Sequence, residues 1–248
     1  MIYASDLRHL SPYNVIVKYA DNTTLLVAQN SSVDIAQEYN NVCAWSTRNR
    51  LTINTDKTKE IIFHRPASRH CNFPPVLPGI QRVKHTTLLG VDITDTLSTA
   101  DHVNRLLMQV NQRLYLLTQL KFQGLPLPAL HQLFAALIVN IITYALPTFA
   151  GQLTADDRNR VNSISRKALH RGLTHAAFDI DSLIDSFDRK LFRHTTQPDH
   201  CLHHLLPPKT SACHPYRLRK RQHPYQLPTI ESSQHKNSFI NRRLFKIV

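Results

Sequence analysis

The stretch Val15-Ile16-Val17-Lys18-Tyr19-Ala20-Asp21-Asn22-Thr23-Thr24-Leu25-Leu26-Val27 decides how the first part of this chain is read. Residues 15–17 and 23–27 are rich in β-branched and aliphatic side chains. Only a short polar connection separates them, which predicts a tight β-hairpin with Asp21 and Asn22 at its tip. A carboxylate at such a tip is held by the strand ladder behind it, so it can share a divalent cation with other carboxylates across a cleft. The pattern alone is unspecific, because Asp and Asn also favour ordinary turns.

Outward from this hairpin, Ser32 is a candidate cap for a helix carrying Ile35, Tyr39, Val42 and, further along, Cys43 and Trp45 on one side. Leu51-Thr52-Ile53-Asn54, Lys57-Thr58-Lys59 and Ile61-Ile62-Phe63 read as strand, loop and strand. Residues 74–79, rich in proline, read as a loop. Residues 83–89 and 91–93 flank Gly90 and predict a second hairpin or a kinked strand.

From Asp101 the period becomes helical. Val103, Leu106, Leu107, Val110, Leu114 and Leu117 fall on one face, and Gly124 marks the end. Pro128 suits the first turn of a second helix, and Thr154-Ala155-Asp156-Asp157 opens a third that Gly172 closes. The apolar run 133–146 contains Asn140 and Thr143 and is shorter than the roughly 20 residues of a bilayer span, which predicts a core helix and no membrane partner.

The expected architecture is α+β over residues 1–95, all-helical over 96–194, and a disordered, basic, Pro/His-rich tail over 195–248. With five glycines in the chain, no phosphate-cradling glycine loop is present. Cys43, Cys71, Cys201 and Cys213 are widely spaced, and the amino terminus shows no leader pattern. Reduced thiols and an intracellular setting, nuclear or cytoplasmic, are expected.

Charge points to a polyanionic partner. The net charge is +13, and residues 189–248 hold 12 Lys and Arg against 2 acids. Within that region Arg217, Arg219, Lys220 and Arg221 form a basic cluster suited to RNA or to nuclear import. Tyr216 and Tyr225 lie beside it. Cys201, His203, His204, Cys213 and His214 raise the idea of a metal site, but their spacing matches no zinc finger or knuckle.

Three segments in order carry a family resemblance. Residues 18–26 resemble the catalytic hairpin of non-long-terminal-repeat (LINE-like) retrotransposon reverse transcriptases, whose pattern is Tyr-Ala-Asp-Asp between apolar strands. Leu51-Thr52-Ile53-Asn54-Thr55-Asp56-Lys57-Thr58 resembles the motif that follows it in the family. His85-Thr86-Thr87-Leu88-Leu89-Gly90-Val91 resembles the Leu-Gly hairpin that grips the primer. The resemblance extends over nearly the whole chain, and implies a partial palm at 1–95 and a thumb-like helical domain at 96–194.

Residue by residue, the resemblance implies that Asp21 is a catalytic carboxylate and a ligand of Mg²⁺ or Mn²⁺. Asn22 stands where the family has its second Asp. Lys57 assists the triphosphate or the leaving pyrophosphate, Tyr19 and Ala20 lie near the nucleotide and primer end, and Leu89 and Gly90 contact the primer. RNA template and DNA primer are the implied partners.

The departures matter as much. Asn22 exchanges a charged ligand oxygen for a neutral amide. Only eighteen residues precede Tyr19, so the family's upstream catalytic Asp and its fingers fall outside this stretch. Asp34, Glu38, Asp56, Asp92 and Asp95 read as surface acids that do not replace it. The expectation is a polymerase remnant inactive in isolation. The alternative is a non-catalytic RNA- or DNA-binding module that uses the helices and the basic tail.

Overall fold

The computed structural model of the protein describes residues 6–65, 73–210 and 223–247. The chain divides into two compact units, one of Met1–Thr86 with Thr94–Thr96 and one of Thr87–Ile93 with Leu97–Val248. The class is mixed α and β, as expected. The division runs through a β-hairpin instead of falling after residue 95.

In the first unit, β1 (Val15–Tyr19) and β2 (Asn22–Leu26) pair antiparallel, with Val15 opposite Leu26 and Tyr19 opposite Asn22. The two-residue tip is therefore Ala20–Asp21, one position earlier than the sequence reading placed it. Of the two tip residues only Ala20 has a positive φ, +53°, the φ pattern of a type II′ turn, whose twist matches that of the flanking strands. Opposed residues share a face of the ribbon, so Val15, Val17, Tyr19 and Leu26 form one exposed side.

Helix α1 (Ile35–Arg48) is capped by Asp34, not by Ser32. Asp34 accepts from Gln37 N, and Gln37 accepts in return from Asp34 N, which satisfies two otherwise orphaned donors. Leu51–Asn54 is not a strand. Asn54 instead organises a turn, with its Oδ1 accepting from Lys57 N at 3.1 Å and its carbonyl from Thr58. The strand that follows is β3 (Lys59–Glu60), parallel to β4 (Gln81–Arg82) and locked by a two-pronged Arg82–Glu60 pair.

Glu38 corrects a further expectation. It is fully buried, not on the surface, and its Oε1 accepts from Leu10 N, Ser11 N and Asn14 Nδ2 at 2.8–3.1 Å. Asn14, equally buried, also donates to Val33 O and accepts from Ala28 N. One carboxylate thus ties residues 10–14 to α1. Without it, the backbone N–H groups of Leu10 and Ser11 and the side-chain amide of Asn14 would lose this acceptor.

The next hairpin, β5 (His85–Leu88) with β6 (Val91–Thr94), leads into the helices. In α2 (Ala100–Phe122) all six residues read as one apolar face are buried, and Gly124 follows the helix with a φ of +86°. Helix α3 (Leu127–Phe134) has a proline in its first turn, continues through a π-helical turn at Ala135–Val139, and ends in α4 (Asn140–Thr143). Ala145, at φ +51°, breaks the run before α5 (Leu146–Phe149) and a 3₁₀ turn at Ala150–Gln152.

By length and composition Leu127–Gln152 is apolar enough to cross a bilayer, a longer run than the 133–146 counted from sequence. In the fold, Leu130, Phe134, Ile138, Ile142, Leu146 and Phe149 are nonetheless packed into the core against α2. Helix α6 (Ala155–His170) starts with a Thr154–Asp157 capping box and gives Val161, Ile164 and Ala168 to the same core. Helix α7 (Ile180–Thr195) adds Ile180 and Ile184.

The described parts of 195–248 are not a disordered tail. A 3₁₀ turn at His203–Leu205, α8 (Ser233–Asn237) and α9 (Phe239–Lys246) belong to the second unit. Leu244 and Tyr225 pack with Phe192 of α7, and Arg242 makes two parallel hydrogen bonds to the buried Asp188 at 2.9 Å. Gly151 is required at this junction, because a Cβ there would collide with Asn237 O and Arg242. Proline and histidine content hid a short amphipathic helix whose polar residues are Asn241, Arg242, Arg243 and Lys246.

Candidate functional site

The β1–β2 tip presents its chemistry outward. Tyr19 is 59% exposed, and Ala20, Asp21 and Asn22 are exposed around it. Neither the Asp21 nor the Asn22 side chain has a hydrogen-bond or ion-pair partner among the described residues. Behind the tip, Lys18 donates to Leu7 O at 2.7 Å, and burial, then Arg8, holds its ammonium below the ordinary lysine range. Lys57 sits on the Asn54-built turn of the same unit with its ammonium exposed. Among the described residues no hydrogen bond or ion pair joins it to Asp21.

The donor set at this tip is one carboxylate and one amide oxygen. Among the described residues no group of three or more His, Cys, Asp or Glu side chains gathers where a metal could be held. Two hard cations bridged across a reaction centre want several anionic oxygens. The residues of the tip do not fit such a centre.

The second motif hairpin is built differently. Its tip, Leu89–Gly90, has positive φ at both positions, +48° and +81°, as a type I′ turn requires. Leu is a poor residue for that region, at a cost of about 1–2 kcal/mol, so surrounding contacts must hold it. Tyr144 Oη donates to Leu89 O at 2.8 Å, Arg105 Nη2 donates to Gly90 O at 2.7 Å, and a Cβ on Gly90 would lie 3.2 Å from the Tyr144 ring.

Beneath the tip lies a polar knot that the sequence reading missed. Asp92, read as a surface acid, accepts from Arg105 Nε at 2.5 Å and from Thr87 Oγ1 at 2.6 Å. Burial disfavours its charge, but the bonds from Arg105 and Thr87, with the charges of Arg105 and His102, outweigh it and hold the carboxyl below the ordinary range.

His102 is 5% exposed and meets Phe149 edge-on at 4.6 Å. Its Nδ1 accepts from Asp92 N and faces Arg105 Nη2, each at 3.3 Å, so the proton of the neutral ring sits on Nε2, a buried atom without an acceptor among the described residues. Burial, then Arg105, pushes this imidazole below its ordinary value, against the pull of Asp92. Asp95, also read as a surface acid, is mostly buried and lies 3.4 Å from His64.

Arg217, Arg219, Lys220 and Arg221 lie outside the described residues, as do Tyr216, Cys71, Cys213 and His214. Of the histidines and cysteines considered for a metal, Cys201 is a free, exposed thiol and His203 is bonded to Thr195 O. No sequence signal marked Glu38, Asp92 or His102, since the pairings that bury them, Glu38 with Leu10, Asp92 with His102 and Asp92 with Arg105, span 10 to 28 residues. In comparisons with known proteins, no family model, no curated protein and no solved structure matches this chain.

Proposed function

We propose that this chain is a palm-and-thumb segment of a non-long-terminal-repeat retrotransposon reverse transcriptase, which alone binds RNA or DNA but does not polymerise. The observation that carries the reading is the β1–β2 hairpin. Its two-residue tip exposes Asp21 between Tyr19 and Asn22, and the Lys57 turn and the Leu89–Gly90 hairpin follow in the family's order. Absence of polymerisation follows from chemistry, because one carboxylate beside an amide is a poor donor set for the two cations of nucleotidyl transfer.

Primer extension on an RNA template with Mg²⁺ or Mn²⁺ tests the catalytic half of this reading. The expected result is no template-dependent product from the chain by itself. Extension that Asp21→Ala abolishes would overturn it. The second reading, a binding module with no polymerase role, is favoured by the +13 charge and its concentration in residues 189–248. The two readings separate if an added polypeptide carrying the family's upstream palm restores Asp21-dependent extension.

A further inference from the structure

We propose that the cleft between α7 and α9 is a binding site for the phosphodiester backbone of a nucleic-acid strand. The proposal rests on the reading of the chain as a nucleic-acid-binding body and gives that binding a location. The cleft encloses about 590 Å³ and is lined by Arg189, Arg193, Arg243 and Lys246, by Asp185, and by Phe192 and Ile247. That volume is in the range of ordinary ligand sites.

Four cations face one carboxylate, so the lining keeps an excess of three positive charges. Asp185 accepts from Arg189 Nη2 at 2.5 Å, Arg243 Nη1 at 2.8 Å and Lys246 Nζ at 3.0 Å. It gathers and orients three cations without neutralising them. Its hydrogen bond from Lys246 comes first among the effects that keep it ionised. Arg193 has no ion-pair or side-chain hydrogen-bond partner among the described residues.

Arg243 gives an independent indication. It is 7% exposed, yet its Nε has no acceptor among the described residues. A buried donor left unpaired is costly, so Arg243 is the lining cation least satisfied by the protein itself. Guanidinium forks match the oxygens of a phosphate. The cations also form an array, with Arg189 and Arg193 one turn apart on α7 and Arg243 and Lys246 one turn apart on α9. An array suits a repeating anion better than a single small one, and Phe192 and Ile247 offer an apolar floor to a sugar or base.

Two residues near the cleft bracket a charged stretch of sequence. Lys209 and Tyr225 form an antiparallel bridge, and Tyr225 packs edge-on against Phe192 in the cluster beneath the cleft. Residues 211–222, between them in sequence, hold Arg217, Arg219, Lys220 and Arg221. That sequence charge favours a polyanion over an isolated phosphate.

The test is equilibrium binding of a short labelled uridine oligonucleotide to the whole chain, across a salt series, for wild type, Arg193→Glu, Lys246→Ala and Arg193→Lys. Arg193→Glu should weaken binding about tenfold or more at low salt and reduce the slope of log K against log salt by about 0.7 or more. Lys246→Ala should weaken it less, and Arg193→Lys should retain most of it. Arg193 has no side-chain partner among the described residues to lose, and thermal melts establish that the variants fold.

Wild-type binding that none of the variants alters would overturn the cleft while leaving the reading of the chain intact. Failure of the wild type to bind RNA or DNA at low salt would overturn both. Displacement of the oligonucleotide by a polyaspartate peptide as readily as by unlabelled RNA would overturn the assignment to phosphodiesters.

Discussion

The tips of two hairpins, Ala20–Asp21 and Leu89–Gly90, differ in what holds them. The first is a ribbon end whose Asp21 and Asn22 side chains face solvent without partners among the described residues. The second is bonded through both of its carbonyls to Tyr144 and Arg105, over a knot of Asp92, Arg105 and His102. These two motifs, both legible in sequence, are not equally supported. A two-stranded ribbon is marginal without further cover, whereas the second tip is over-determined by side chains from α2 and from the α4–α5 junction.

The largest expected difference is in the carboxylates. Asp92→Ala should destabilise the chain by roughly 2–3 kcal/mol, because it strips charged hydrogen bonds from a mostly buried site. Asp21→Ala should change stability by no more than about 0.5 kcal/mol. Urea unfolding of both variants measures this, and equal losses would break the comparison. Gly90→Ala comes next, at about 1–2 kcal/mol for a left-handed φ, with the Tyr144 contact adding to it. Ala20→Gly should be near neutral, because gained turn compatibility offsets the extra chain entropy of glycine.

The knot should also respond to pH. An unfolded imidazole takes up a proton near pH ~6.5, while native His102 resists protonation to lower pH. The unfolded state then binds more protons, so this contribution is fully present above that value and is lost as pH falls through about 6.5 toward the lower native value. The carboxyl of Asp92, held low, keeps its contribution there and loses it only in stronger acid. Stability followed against pH should fall less steeply for His102→Gln than for wild type, and parallel curves would contradict the assignment.

A smaller loss than at Asp92 or Gly90 belongs to Tyr144→Phe. It should cost about 0.5–1 kcal/mol, because water can replace the hydroxyl at an exposed ring. Faster amide exchange confined to the Leu89–Gly90 tip would sharpen the result.

Much of the helical unit was legible because periodicity is a local signal. The six apolar positions of α2 are all buried, and Thr154, Gly124 and Gly172 mark the helix ends expected of them. The first hairpin was legible apart from a one-residue shift of its tip, which arose because Asn22 pairs with Tyr19. Long-range polar pairing was not legible. Glu38 reads as a surface acid until residues 10–14 fold over it, and Arg242 reads as tail charge until Asp188, 54 residues away, receives it. For the same reason α9 and the cationic cleft were hidden in a segment whose composition suggested disorder.

The most direct test of the central claim is equilibrium binding of an RNA–DNA hybrid to the whole chain as salt is raised. The account predicts binding at low salt that falls linearly in log K against log salt, by at least about tenfold between roughly 50 and 200 mM. No binding at the lowest salt, or affinity that ignores ionic strength, would contradict it.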